Sequence, residues 1–255
     1  MCIRDRAGQM VSSNSWNFEQ MNGEQLRETA SANAVALSLA RTGLSQECRV
    51  PLQFSMAYVT NRVHDLIALR MLAQAFAAEG RLAEMEGRTN DAVESDLETV
   101  HLGIEAGRGG TMLDGLIGVA IESFGLKPLQ NISSRLDART CRETVTALET
   151  LEAQSQSWAD LVQQDNAWSR RTYPGIKYQL GKLVMFSTVR QVRQKAGQKF
   201  EEQEKNTRQL TIDLATRAYE LEKGHRPASP ADLVPDYLKA IPQDPFTGTN
   251  LVYKP

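Results

Sequence analysis

Two carboxylates, Asp114 and Glu122, stand eight residues apart in the most apolar stretch of the chain, from Met112 to Phe124. On a helix that spacing puts them on roughly one face. A carboxylate buried there either meets a cation or shifts toward its neutral form, the state from which general acid–base chemistry starts. Arg70, Arg81 and Arg108 are the candidate partners. Sealing by an arginine would make the pair structural, whereas one pocket reaching both acids would make it catalytic. No other constellation competes: His64-Asp65, His101 and His225 are isolated, and the sequence holds no HExxH, no CxxC and no Gly-rich strand-to-helix loop. Glu79, Glu84, Glu86, Asp91 and Glu94 gather around one interhelical turn as an acidic rim, which reads as solvated helix ends. No catalytic residue is assigned, no metal ligand set is recognised, and no cofactor is expected.

The elements carrying these residues read as helices. Val63, Leu66, Ile67, Leu69, Met71, Leu72, Ala73, Phe76 and Ala77 recur at three- and four-residue intervals, the pattern of a half-buried helix. Gly87-Arg88-Thr89-Asn90 breaks it, and Thr89 or Asn90 caps a second helix with Val93, Leu97, Val100 and Ile104 as its stripe. After Gly109-Gly110, Thr111 caps a third helix that is apolar almost all round and is expected to be buried on most sides. Gly115 and Gly118 within it imply the close approach of a neighbouring helix.

Upstream, Gly23 to Arg41 is amphipathic and ends at Gly43. Downstream, Asp137 and Ser157 cap two more helices, and Pro174-Gly175 stops the second. A long helix then opens at Leu180, Leu183 and Val184, crosses a polar section from Gln191 to Gln209 with a kink or loop at Gly197, and recovers apolar spacing at Leu210. The prediction is a mainly α protein, a multi-helix bundle of helical hairpins. A formal net charge of −2 provides no general attraction to nucleic acid or anionic lipid. Cys48 and Cys141 are too few and too far apart for a disulfide framework or a zinc site.

The tail changes character. Gly224-His225-Arg226-Pro227 ends the long helix, Ser229-Pro230-Ala231-Asp232 starts a short one, and Ile241-Pro242 terminates that. Asp244-Pro245-Phe246-Thr247-Gly248 then forms a turn, and Leu251-Val252-Tyr253 reads as the beginning of a strand, completing a helix-turn-strand tail.

Two stretches resemble known families. Gly80, Gly87 and Ala92, with a looser fit at Phe76 and Ala83, resemble one tetratricopeptide repeat; Asp96 and Thr99 depart from its pattern, and no second copy follows. More specifically, Tyr219, Gly224, Pro227, Pro242, Asp244, Pro245, Phe246, Gly248 and Tyr253 resemble the globular end of type II secretion major pseudopilins. The prepilin peptidase motif, apolar stem and acidic calcium-binding loop of that family are not in this sequence. A helical body followed by such a tail is similar to uncharacterised bacterial proteins that carry an N-terminal membrane helix. That likeness implies a cell-envelope location, an anchor upstream of this sequence, and truncation at both ends. Met1-Cys2-Ile3-Arg4-Asp5 is what ATG TGT ATA AGA GAC encodes and resembles the end of a transposase adapter, so residues 1–6 are set aside.

The expected organisation is adapter-derived and irregular residues over 1–22, a helical body over 23–209, and the pseudopilin-like tail over 210–255. The expected function is a non-catalytic, envelope-associated scaffold or interaction protein with a protein partner. Membrane contact would come only through the upstream anchor, and nucleic acid is not expected. The rivals are a soluble helical-repeat adaptor holding a peptide in a concave face, and an enzyme using Asp114 and Glu122.

Overall fold

The computed structural model describes residues 18–175 and 186–251. Among them are seven α-helices: α1 (Gly23–Leu44), α2 (Met56–Met85), α3 (Thr89–Gly107), α4 (Met112–Ile132), α5 (Ala138–Gln154), α6 (Trp158–Thr172) and α7 (Phe186–Lys223). Local chemistry sets most of the starts. Asn22, Ser55, Asp137 and Ser157 each accept a bond from a backbone N–H of the first turn, satisfying a donor that has no partner inside the helix. The start of α3 differs from expectation, because Thr89 is already helical and Arg88 supplies no side-chain cap. The preceding turn does the work instead. Gly87 adopts φ +75°, and Arg88 N–H reaches back to Ala83 O at 2.8 Å while Gly87 N–H reaches Glu84 O at 3.1 Å, the paired bonds that close a helix through a left-handed glycine.

The helices α2, α3 and α4 pack as successive hairpin partners, α1 lies against α2, and α7 runs along α5 and α4. The buried centre is α3, in which most residues from Ala92 to Gly107 are buried. The expectation gave that place to α4, yet Leu113 of α4 is 39% exposed and Ile117, Val119 and Ala120 are only half-buried. Side-chain size explains the exchange. A Cβ on Gly118 would lie 2.5 Å from Gly103 O, so α3 and α4 meet backbone to backbone there, and the Ala, Ser, Thr and Gly faces of α3 admit neighbours that the bulky faces of α4 would hold away. Val63 and Ile67 likewise miss the core, at 40% and 54% exposed. In the first half of α2 the buried row is Tyr58, Arg62 and Leu66, and Val59, Val63 and Ile67 lie one residue further round.

The expected strand is absent from the described residues. Leu251 belongs to no strand, and Val252 and Tyr253 lie outside the described residues. One antiparallel bridge, Gln243 with Asn250, closes the turn. Leu251 N–H donates to Pro242 O at 2.9 Å, but the proline nitrogen has no hydrogen to return, so the ladder stops. Leu251 instead packs into the main core with Leu210, Leu233 and Leu238. α7 continues through Gly197 and past residue 209 without interruption, so the tail begins in mid-helix. Residues 1–17, including the adapter-like segment, and Leu180, Leu183 and Val184 lie outside the described residues. Among the described residues, no helix is long and apolar enough to cross a membrane.

Candidate functional site

Eight residues at 100° each leave Asp114 and Glu122 about 80° apart around α4, enough to give them different neighbours. Asp114 is fully buried. The Thr111 N–H and hydroxyl both donate to its Oδ2 at 2.7 Å, and Arg62 Nε donates to Oδ1 at 2.5 Å. None of the three arginines proposed as partners is involved. Arg70 lies over the Phe124 ring, Arg81 pairs with Glu84, and Arg108 pairs with Glu105. Four of the five rim acids are also paired: Arg41 holds Glu79, Arg81 and Arg135 hold Glu84, Arg27 and Arg88 hold Glu86, and Arg88 holds Asp91. Among the described residues, no group of His, Cys, Asp and Glu side chains could hold a metal ion.

Glu122 lines a half-open cavity of about 210 Å³ between α3, α4, α5, α7, the loop after α5 and the start of α6. Glu122 is half-buried, and the surrounding protein strips solvent from its carboxyl, so burial pushes it up to about 8. No arginine or lysine pairs with it among the described residues. The Gln203 amide opposes the shift, yet Gln203 Nε2 is itself buried and completes no hydrogen bond. Val100, Ile104, Leu148 and Leu151 supply an apolar floor. Trp158 and Phe200 form one wall, their ring centroids 4.9 Å apart and their planes 39° apart. A Cβ at Gly197 would sit 2.8 Å from Trp158 Nε1, so only glycine lets the indole lie so close to α7. At the rim, Arg208 bridges Glu152 and Glu204, each at 2.5 Å. Asp96 is a third buried acid, with Oδ1 unpartnered and its carboxyl raised well above the usual range by burial. It lines a separate hollow beside Glu84 and Arg135.

A wider groove of about 680 Å³ opens between α3 and α5. Val93, Leu97, Ala147 and Leu151 give it apolar surface, and Glu94, Glu98, His101 and Glu143 line it as well. Thr144, Thr146 and Thr150 also face it, but their hydroxyls bond to carbonyls one turn back on α5. Few free polar donors remain on the α5 side. Burial, with Arg108 nearby, holds the His101 imidazole below its ordinary value, so it is mostly neutral at pH 7.

The tail motif residues converge on packing. Tyr219 stacks against Tyr237 and His225 at 5.4 and 5.5 Å, Tyr237 OH donates to Glu222 at 2.6 Å, and Arg142 of α5 lies over the Tyr237 ring. Gly224 and Gly248 take φ +76° and +69°, and Pro227 is buried. Asp244 accepts from Lys205 Nζ at 2.7 Å and from Phe246 N–H at 2.8 Å, and both bonds hold its carboxyl below the usual range. Pro245 follows in the same turn, and Tyr253 lies outside the described residues.

Gln203, Trp158 and Phe200 were not singled out as site residues from sequence. A signal was present, because Ala196, Phe200, Gln203, Thr207, Leu210 and Leu214 continue one three-four stripe through the polar section of α7. A polar residue at a core position is itself a flag. No family model matches the chain, and no curated protein or solved structure is similar to it.

Proposed function

We propose that this is a non-catalytic, envelope-associated interaction protein that receives a basic amphipathic helix of a protein partner in the α3–α5 groove. The observation that carries the reading is the groove's composition: apolar side chains on both helices, flanked by Glu94, Glu98 and Glu143. An amphipathic helix lays its apolar face into such a groove, and cations on its flanks meet the acids. Glu98 is already shared with Arg41, and Glu143 pairs with Arg139 on the exposed face of α5, a contact that solvent screens, so Glu94 and the weakly held Glu143 set the charge preference. The separation of Asp114 from Glu122 supports a binding role over acid-pair catalysis, since Arg62 closes one acid away from the cavity that holds the other. Envelope association rests on the tail resemblance alone.

The test uses two fluorescein-labelled amphipathic helices of one length and hydrophobic pattern, one with lysine and one with glutamate on its polar face. Fluorescence anisotropy should show saturable binding of the lysine peptide to the full chain, and a Glu94→Lys/Glu143→Lys variant should reverse the preference. A control Glu24→Lys change on α1 should leave it intact. Equal binding of both peptides, or a lysine peptide indifferent to the groove double variant, would overturn the reading.

A further inference from the structure

The groove between α3 and α5 has a direction. Its two helices run parallel: the Thr140 hydroxyl donates to Asn90 Oδ1 at 3.1 Å where both begin, and Arg108 Nη2 donates to Gln154 Oε1 at 3.3 Å where both end. From Asn90 to His101 on α3 and from Thr140 to Gln154 on α5 the lining runs for about 17 and 21 Å, about three to four helical turns. Val93 and Leu97 give one side its apolar surface, and Ala147 and Leu151 give the other.

The acids along this line are unevenly placed. Glu94 and Glu143 lie about one turn in from the starting end, and both are exposed. Glu98, further along, is shared with Arg41. Beyond it the lining residues are His101, Thr150, Leu151 and Gln154, none of them an acid, and the Arg108 guanidinium stands at that end. The backbone adds a second polarity on the same axis. Two parallel helices bring the positive ends of their dipoles together beside Asn90 and Thr140. A helix lying in the groove meets that end best with its own C-terminus, where free carbonyls carry the opposite partial charge. Cations in a helix's last turn also stabilise that helix, whereas cations in its first turn destabilise it. The acids and the dipoles select the same orientation.

We propose, on the reading of this groove as a helix-binding site, that the partner helix lies antiparallel to α3 and α5 and carries its cations in its C-terminal half. Those cations meet Glu94 and Glu143, apolar residues at three- and four-residue spacing cover the floor, and an uncharged or acidic N-terminal half lies between His101 and Gln154. A partner with a basic N-terminal half could reach the same acids only by setting like helix poles side by side.

Two amphipathic peptides of about four turns, equal in composition, place their lysines in the C-terminal or the N-terminal half. Fluorescence anisotropy against the full chain should favour the first peptide about threefold to fivefold, the worth of two screened charge contacts. Glu94→Lys/Glu143→Lys should reverse that order. Each peptide's own helicity is the same against both proteins, so the change in ratio reports the groove. In the ¹⁵N-labelled chain, a nitroxide on the C-terminal end of the bound first peptide should broaden the amide signals of Asn90 and Thr140, and one on its N-terminal end those of His101 and Gln154. Broadening at the opposite ends, or equal affinity of the two peptides with both weakened by the double variant, would overturn the orientation alone. Binding by neither peptide, or binding indifferent to the double variant, would overturn the orientation and the groove reading together.

Discussion

Asp114 and Glu122 share a helix and a chemical class, yet the fold treats them oppositely. Asp114 lies where α4 begins, so its carboxylate reaches the Thr111 N–H left free at the helix start and also receives Arg62 from α2. Glu122 lies in mid-helix, where every backbone donor is already used, and its neighbours are the Gln203 amide and the apolar side chains that line the same cavity. One acid is closed in by an arginine and a threonine. The other is held neutral beside open space. Burial of a carboxylate therefore says little about its role until its donors are identified, because the same loss of solvent leads to ion pairing in one case and to a displaced pKa in the other.

The most severe way to break this contrast is to remove the sealed acid. Asp114→Ala leaves Arg62, itself only 8% exposed, with an uncompensated charge, and should cost about 3–5 kcal/mol in urea unfolding. The double replacement Asp114→Leu/Arg62→Leu should recover most of that loss, since a well-packed apolar pair often matches a buried ion pair. A loss under about 1 kcal/mol for Asp114→Ala would mean that solvent reaches Arg62, and the two acids would no longer differ in kind.

Glu122→Gln sharpens the other side through its pH dependence. The folded carboxyl titrates near 8, against an ordinary 4.5, so the folded state holds the proton more tightly than the unfolded chain. Its contribution is fully present below pH 4.5 and declines as pH rises toward 8, by at most about 1.4 kcal/mol per pH unit. The Gln variant should lack this decline, so the stability difference between variant and parent should grow in favour of the variant across that window. Parallel stability–pH curves would place Glu122 in contact with solvent or a cation.

The smallest effect belongs to a third acid, Asp244, paired with Lys205 at the surface of the tail. Its carboxyl is lowered, so its contribution is present above the ordinary aspartate value of 3.8 and is lost as pH falls through the lowered one. Solvent screens the pair. Lys205→Met should leave the melting temperature nearly unchanged at pH 7, and a large fall would show that the turn needs this pair to stay on α7.

Much of the helical layout could be read from local chemistry. The caps at Thr111, Asp137 and Ser157 and the stops at Gly87, Pro174 and Gly224 depend on residues within a turn of one another. The candidate site was legible only in part. Asp114 and Glu122 could be named, but Arg62 lies 52 residues before Asp114 and shares no pattern with it. Gln203 and Thr207 stand in for apolar residues on the α7 stripe, and their polarity concealed a face that spacing alone would have exposed. Hydrophobicity misplaced the centre as well, because tight packing favoured the small side chains of α3 over the greasier ones of α4.

Sequence alone specified a mainly α chain, its main breaks and an unusual pair of acids in one apolar helix, since these follow from periodicity and from bonds between near neighbours. Tertiary structure specified which acid is sealed and which faces a cavity, and among the described residues it gave the tail a turn and no strand. Those outcomes depend on partners brought together from distant segments and on how each helix is rotated against the next, which near-neighbour chemistry leaves free.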